Sequence, residues 1–152
     1  MNGRLHTRRR WTGLIAVALL AAFATAQAFG ETTSVRLRLY DPSGRTRAEV
    51  GIRDVERASA RAVRLPDGTA LSFRLTSTGA AKCHRLTLSL AKRGARLHHF
   101  QRFAFAINGR VYARPFVDYR LFPEGLDCTT GLEFHGLRVA DARRLVVLIR
   151  RG

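Results

Sequence analysis

Apolar and polar residues alternate with a period of two through much of this chain, and repeat with a helical period in two places. Val35, Leu37 and Leu39 alternate with Arg36 and Arg38, which predicts a strand. Asp41-Pro42-Ser43-Gly44 is a turn signal, and Ala48, Val50 and Ile52 form a second strand, so residues 34–53 read as a hairpin. Residues 54–63 are ambiguous. Either Asp54 caps a short helix through Val55, Ala58 and Ala62, or the segment is a further strand. After a turn at Pro66-Asp67-Gly68, Leu71, Phe73 and Leu75 alternate with Ser72, Arg74 and Thr76. Thr76-Ser77-Thr78 then supplies an N-cap for a helix over 79–93, with Gly94 as its stop. Residues 103–116 are two alternating runs joined by Asn108-Gly109, the pair that suits a type I′ hairpin turn with φ > 0 at both positions. Phe103, Phe105 and Ile107 share one face of the first run and are expected to pack under the helices. Pro123-Glu124-Gly125 makes 119–130 a loop, and 130–137 gives a last short strand. Val139, Ala142, Leu145, Val146 and Ile149 lie on one face of a closing helix. Strands flanking two helices predict an α+β fold, a mostly antiparallel sheet with both helices packed on one face.

The first 30 residues follow neither period. Arg4, Arg8, Arg9 and Arg10 precede an uncharged apolar run from Trp11, and Ala24-Thr25-Ala26 and Ala26-Gln27-Ala28 are both A-x-A cleavage signals. The favoured reading is a signal peptide over 1–28, cut between Ala28 and Phe29, leaving one extracytoplasmic domain over 29–152. The alternative is an uncleaved anchor, since residues 11–30 are just long enough to span a bilayer of ~30 Å. Either way the basic end stays inside and the domain is exported. Arg8-Arg9-Arg10-Trp11 brushes the twin-arginine export pattern, although a general secretory signal fits better. Beyond Gly30 no apolar run has membrane-spanning length.

Export changes the reading of the two cysteines. In an oxidising compartment Cys83 and Cys128 are expected to pair, clipping the 119–130 loop to the first helix. The alternative is that Cys83, on the same helical face as Leu86 and Leu90, is a small buried hydrophobe. Formal charge is +16 for the whole sequence, and loss of the four arginines of 1–28 leaves +12, almost all of it arginine. Such a balance favours an anionic surface as partner: membrane, cell-wall polymer or nucleic acid. Apart from Arg36-Arg38 and Arg143-Arg144 with Arg150-Arg151, the charges are nevertheless dispersed along the chain, as on a solvated face, and a GC-rich coding bias gives the same composition.

Three stretches taken together resemble a known family. They are LSFRLTSTGAAK at 71–82, FAINGRVYARPF at 105–116 and GLRVADARRLVVLIRRG at 136–152. Their order and spacing are similar to the head subdomain of the first periplasmic domain of SecD, from the SecDF accessory proteins of bacterial preprotein export. The resemblance covers 67–152, a little over half of the chain, and 31–65 has no match in it. It implies an α+β head, no enzymatic activity, no cofactor, and a polypeptide or translocase-associated protein as partner. In that family membrane helices supply proton coupling, which this chain has no residues to provide.

Candidate chemistry is sparse. His98-His99 with Glu133 and His135 are the residue types of acid–base or metal chemistry, and Glu133 and His135 share a strand face. Nothing in the sequence places the two histidine sets together, and no recognised ligand spacing is present. Ser72, Ser77 and Ser89 have no nucleophile-elbow frame, and no Gly-rich phosphate loop occurs. Phe100, Phe103, Phe105, Tyr112 and Phe116, interleaved with Arg102, Arg110 and Arg114, imitate a base-stacking sheet. At alternating hairpin positions such aromatics are more often core. No catalytic, cofactor or metal residue is therefore expected, and a small secreted hydrolase ranks last among the functions considered.

Overall fold

Alternation builds strands where the pattern places them, and long-range polar contacts set their lengths. A computed structural model describes residues 34–152. The signal segment, its cleavage point at Ala28 and Phe29, and the alternative anchor lie outside the described residues. β1 (Leu37–Tyr40) pairs antiparallel with β2 (Val50–Gly51), so the expected hairpin forms with a shortened second arm. A 3-10 turn at Ile52–Asp54 follows, in which the Asp54 carboxylate accepts from the Gly51 amide at 2.8 Å. The ambiguous segment is then a strand, β3 (Val55–Leu65), and Asp54 caps only that short turn. β3 pairs with β4 (Gly68–Leu75), which in turn pairs with β9 (Leu132–Leu137), giving the order β3-β4-β9. The β3–β4 register jumps from Glu56 opposite Arg74 to Arg61 opposite Ser72. The extra residues form a bulge closed by Ser59, whose hydroxyl donates to the Glu56 carbonyl and accepts from the Arg74 amide.

α1 (Ser77–Leu97) starts as expected: the Thr76 hydroxyl accepts from the Gly79 amide at 3.1 Å. Gly79 lies against the Asp54 carbonyl, where an added Cβ would collide. Lys82 reaches both Asp54 carboxylate oxygens at 2.8 and 2.9 Å, which docks the helix start on the 3-10 turn. The expected stop at Gly94 is wrong. The helix continues to Leu97, and the left-handed cap is His98, at φ 50°. Gly94 serves close packing instead, since a Cβ there would sit 2.9 Å from the His99 carbonyl oxygen and 3.2 Å from the Tyr119 ring.

The Asn-Gly hairpin is present. β6 (Ala104–Ile107) and β7 (Arg110–Ala113) are joined by Asn108 at φ 51° and Gly109 at φ 80°, both left-handed as a type I′ turn requires. Asn108 also fixes the neighbouring strand. Its side-chain oxygen accepts from the Arg36 amide at 2.9 Å, and its own amide donates to the Arg36 carbonyl at 2.8 Å. β1 therefore registers against β6, with Leu37 opposite Ile107, and the sheet order is β2-β1-β6-β7. The hairpin is not continuous to Phe116. Pro115 has no amide hydrogen, and beyond it the chain forms a separate two-strand ladder of β5 (Gln101–Arg102) and β8 (Phe116–Val117).

The α+β expectation holds: every ladder among the described residues is antiparallel, with two helices. The strands fall into three sheets, of four, three and two strands. α2 (Val139–Arg151) lies on β3 and β4, while α1 meets the 3-10 turn, β2, β4, β5 and β8. On α2 the buried face is Ala142, Leu145 and Ile149; Val139, expected in it, is half exposed. Phe105 of β6 stacks on Phe134 of β9 at 4.3 Å, and Phe73 of β4 lies about 6 Å from both, so three rings join the two larger sheets. Burying each such ring contributes roughly 1.5–3 kcal/mol.

Two long-range ties complete the frame. Arg93 of α1 donates to both oxygens of Asp41, at 2.7 and 3.2 Å, and through Nε to Gln101. Both partners are buried, and Asp41 also accepts from the Ser43 amide and hydroxyl and the Thr46 amide. The second tie is the loop after β8, which runs as a strap antiparallel to α1. Tyr119 packs on Gly94, Gly125 lies 2.7 Å (as a Cβ) from the Leu88 amide, Leu126 donates to the Thr87 hydroxyl, and Cys128 is disulfide-bonded to Cys83.

Three outcomes are expected from these features. Gly109→Val should lower stability by about 1 kcal/mol or more, because a β-branched residue is strained at positive φ; an unchanged melting curve would contradict the turn. Burial raises the Asp41 pKa, but the hydrogen bonds from Arg93 and Ser43 lower it more, leaving it well below the usual carboxylate range. A depressed folded-state pKa gives stability that is full above the unfolded value of about 4 and lost as pH falls toward the folded value. Melting temperature should therefore drop below about pH 4, and this drop should be smaller in Asp41→Asn. At neutral pH Asp41→Asn should itself cost about 3–5 kcal/mol by stranding the Arg93 charge. The disulfide closes a sequence separation of 45 residues, for which chain entropy allows at most ~4 kcal/mol. Reduction should lower the melting temperature of the wild type and leave Cys83→Ser/Cys128→Ser unmoved; two alkylated thiols in non-reduced exported protein would contradict the bond.

Candidate polypeptide-binding surface

The β5–β8 ladder brings residues distant in sequence onto one surface. Arg102 stands opposite Phe116, and Phe116 is 55% exposed. The Phe116 ring lies 5.2 Å from that of Phe100, which stacks on His99 at 4.5 Å. The Arg102 guanidinium sits 5.6 Å over the Phe100 ring and donates to the Arg114 carbonyl at 3.0 Å. Leu121 and Phe122 at the start of the strap are also 71% and 44% exposed, as is Leu97 at the end of α1. Four of the six large apolar side chains exposed among the described residues thus come from the α1 end, β8 and the strap. The strap turn is closed by hydrogen bonds. Asp118 accepts from the Arg120 amide and guanidinium, a hydrogen bond that holds its carboxyl below the ordinary carboxylate value, and the Phe122 amide donates to the Asp118 carbonyl. Tyr119 turns inward onto Gly94, so Leu121 and Phe122 point away from the core.

Exposed apolar rings among arginines suit contact with another apolar chain. The aromatic set divides. Phe103 and Phe105 are core, as expected of hairpin aromatics, whereas Phe100 and Phe116 reach the surface because Pro115 breaks the hairpin. His98 and His99 cap α1, while Glu133 and His135 lie exposed on β9, 3.5 Å from each other. No hydrogen bond or ion pair joins the two sets, and among the described residues no three His, Cys, Asp or Glu are grouped to hold a metal. Ser89 is tied to the Thr46 hydroxyl at 3.0 Å. Asn108 and Gly109 serve the hairpin, and Cys83 and Cys128 hold the strap that presents the surface. Sequence reasoning passed over Leu121 and Phe122. Their signal was an apolar pair inside a segment otherwise composed as a loop.

No family model matches the chain, and no curated protein does. Among solved structures, that of SecDF, a membrane component that enhances protein export, is similar, with a TM-score of 0.53 at 18% identity. The likeness covers 78% of this chain and 62% of that one, so the chain spans less than two thirds of its length. It reaches beyond 67–152, the part on which the sequence resemblance rests, and so takes in strands before β4. At that identity it shows a shared fold: the described residues have a SecD-like α+β architecture.

Proposed function

We propose that this chain is a non-enzymatic, extracytoplasmic domain that binds polypeptide and assists protein export. The observation that carries the reading is the SecD-like fold, found both in the order of sequence motifs and in the likeness to SecDF. The surface of Phe100, Phe116, Leu121 and Phe122 supports it. An unfolded chain in transit exposes apolar side chains in no fixed sequence, and shallow aromatic contacts bind such segments without demanding one. Arg96, Arg102, Arg114 and Arg120 around that surface favour segments carrying acidic residues. Among the described residues no helix is long and apolar enough to cross a membrane.

Binding to a reduced and alkylated unfolded protein, measured by fluorescence anisotropy, tests the reading. Binding should persist from about 0.05 to 0.5 M salt, unlike polyanion binding. Phe116→Ser/Leu121→Ser should weaken it about tenfold, ~1.4 kcal/mol, with the melting temperature little changed because both side chains are exposed. Equal affinity in the variant, or no affinity in the wild type, would overturn it.

A further inference from the structure

The arginines that are dispersed along the sequence are gathered by the fold. α2 turns Ala142, Leu145 and Ile149 to the core, which leaves Arg143, Arg144, Val147 and Arg151 exposed on its outer side, while Arg150 donates back to the Ala60 carbonyl of β3 at 3.1 Å. β3, on which α2 packs, carries Arg61 and Arg64 on opposite faces, and it is Arg64 that stands beside the start of α2. The acid of β3, Glu56, is already paired with Arg74 at 2.9 Å. Glu133 of β9 lines a cavity with Arg61 and Arg150, while Asp118, Glu124 and Asp127 lie on the strap, a different part of the molecule. At the first turn of α2 the two elements open into a cavity of about 630 Å³. Arg64, Arg138 and Arg143 stand around it, and Leu65, Leu137 and Val139 supply apolar wall. Among the described residues none of these three arginines is ion-paired, and neither are the nearby Asp67 and Asp141.

We propose that this face binds the surface of an anionic phospholipid bilayer, with Arg64, Arg138 and Arg143 on lipid phosphates. Guanidinium groups match phosphate oxygens in a bidentate way, and three of them at one cavity leave a net positive site even with the nearby carboxylates of Asp67 and Asp141. The apolar wall and the exposed Val139 and Val147 place short aliphatic groups where the headgroup region meets the acyl chains. Nucleic acid fits less well. Neither β3 nor α2 contains an aromatic residue, so the face has no platform on which bases stack. This inference stands on the charge distribution and does not rest on polypeptide binding, which uses the opposite set of elements, α1, β8 and the strap.

Vesicle sedimentation of the full chain tests it, with phosphatidylglycerol-containing and pure phosphatidylcholine vesicles. The zwitterionic vesicles read whatever binding does not use charge. Anionic vesicles should bind at least about tenfold better. Arg64→Gln/Arg138→Gln/Arg143→Gln should remove about tenfold of that affinity, and Arg36→Gln/Arg85→Gln/Lys92→Gln, of equal charge on other elements, about threefold or less. If the first variant does not show a wild-type melting curve, Arg143→Gln alone is compared with Arg85→Gln alone, with about threefold expected between them. Equal losses in site and control variants would overturn the site. So would equal binding to both vesicles, no binding to either, or tighter binding to an oligonucleotide than to anionic vesicles.

Discussion

The Asp41–Arg93 pair is where three parts of the molecule meet. Arg93 projects from the last third of α1, Asp41 closes the turn between β1 and β2, and Gln101 opens β5. A guanidinium buried this deeply is tolerable only when its donors are satisfied, and here five bonds are shared among Arg93, Asp41, Ser43 and Thr46. The pair fixes where the β1–β2 hairpin sits relative to α1. That position lets β1 slide beside β6, and through Asn108 the β6–β7 tip holds the chain before β1 in place. No buried side-chain polar atom among the described residues lacks a partner, so the polar frame is consistent with itself.

α1 is the common element of this frame. One side carries Lys82 and Arg93 to Asp54 and Asp41, and another carries Cys83, Thr87 and Gly94 to the strap. The second side bears on function. Glycine at 94 and 125 allows the strap to approach the helix backbone closely, and a strap seated that way turns Leu121 and Phe122 outward. Small residues on the helix thus lead, through packing, to an apolar surface on the outside. The fold also separates two kinds of surface: aromatic groups at the end of α1, and arginine without aromatics on β3 and α2. A domain that holds polypeptide beside a membrane has use for both.

Local chemistry was legible in the sequence, and distance was not. Asn108-Gly109 names its turn because few residue pairs accept positive φ twice. Thr76 names its helix start, and alternation names β1 and β4. Gly94 misled because the signal for a helix stop is the same residue type as the signal for a close contact, and only Tyr119, 25 positions on, tells them apart. β3 was ambiguous because its bulge spoils the two-residue period and Asp54 caps a 3-10 turn like a helix. The Asp41–Arg93 pair spans 52 positions and leaves no local trace. The arginines of α2 are close in sequence, at 143–144 and 150–151, but their meeting with Arg64 depends on α2 lying on β3 and leaves none.

The exposed apolar surface on this SecD-like fold is proposed to receive unfolded polypeptide. Amide hydrogen exchange of the full chain, with and without a reduced and alkylated unfolded protein, reads that surface directly. Slowed exchange is predicted for residues 97–102 and 116–122, with β3 and α2 unchanged. Protection confined to β3 and α2, or none anywhere, would contradict it.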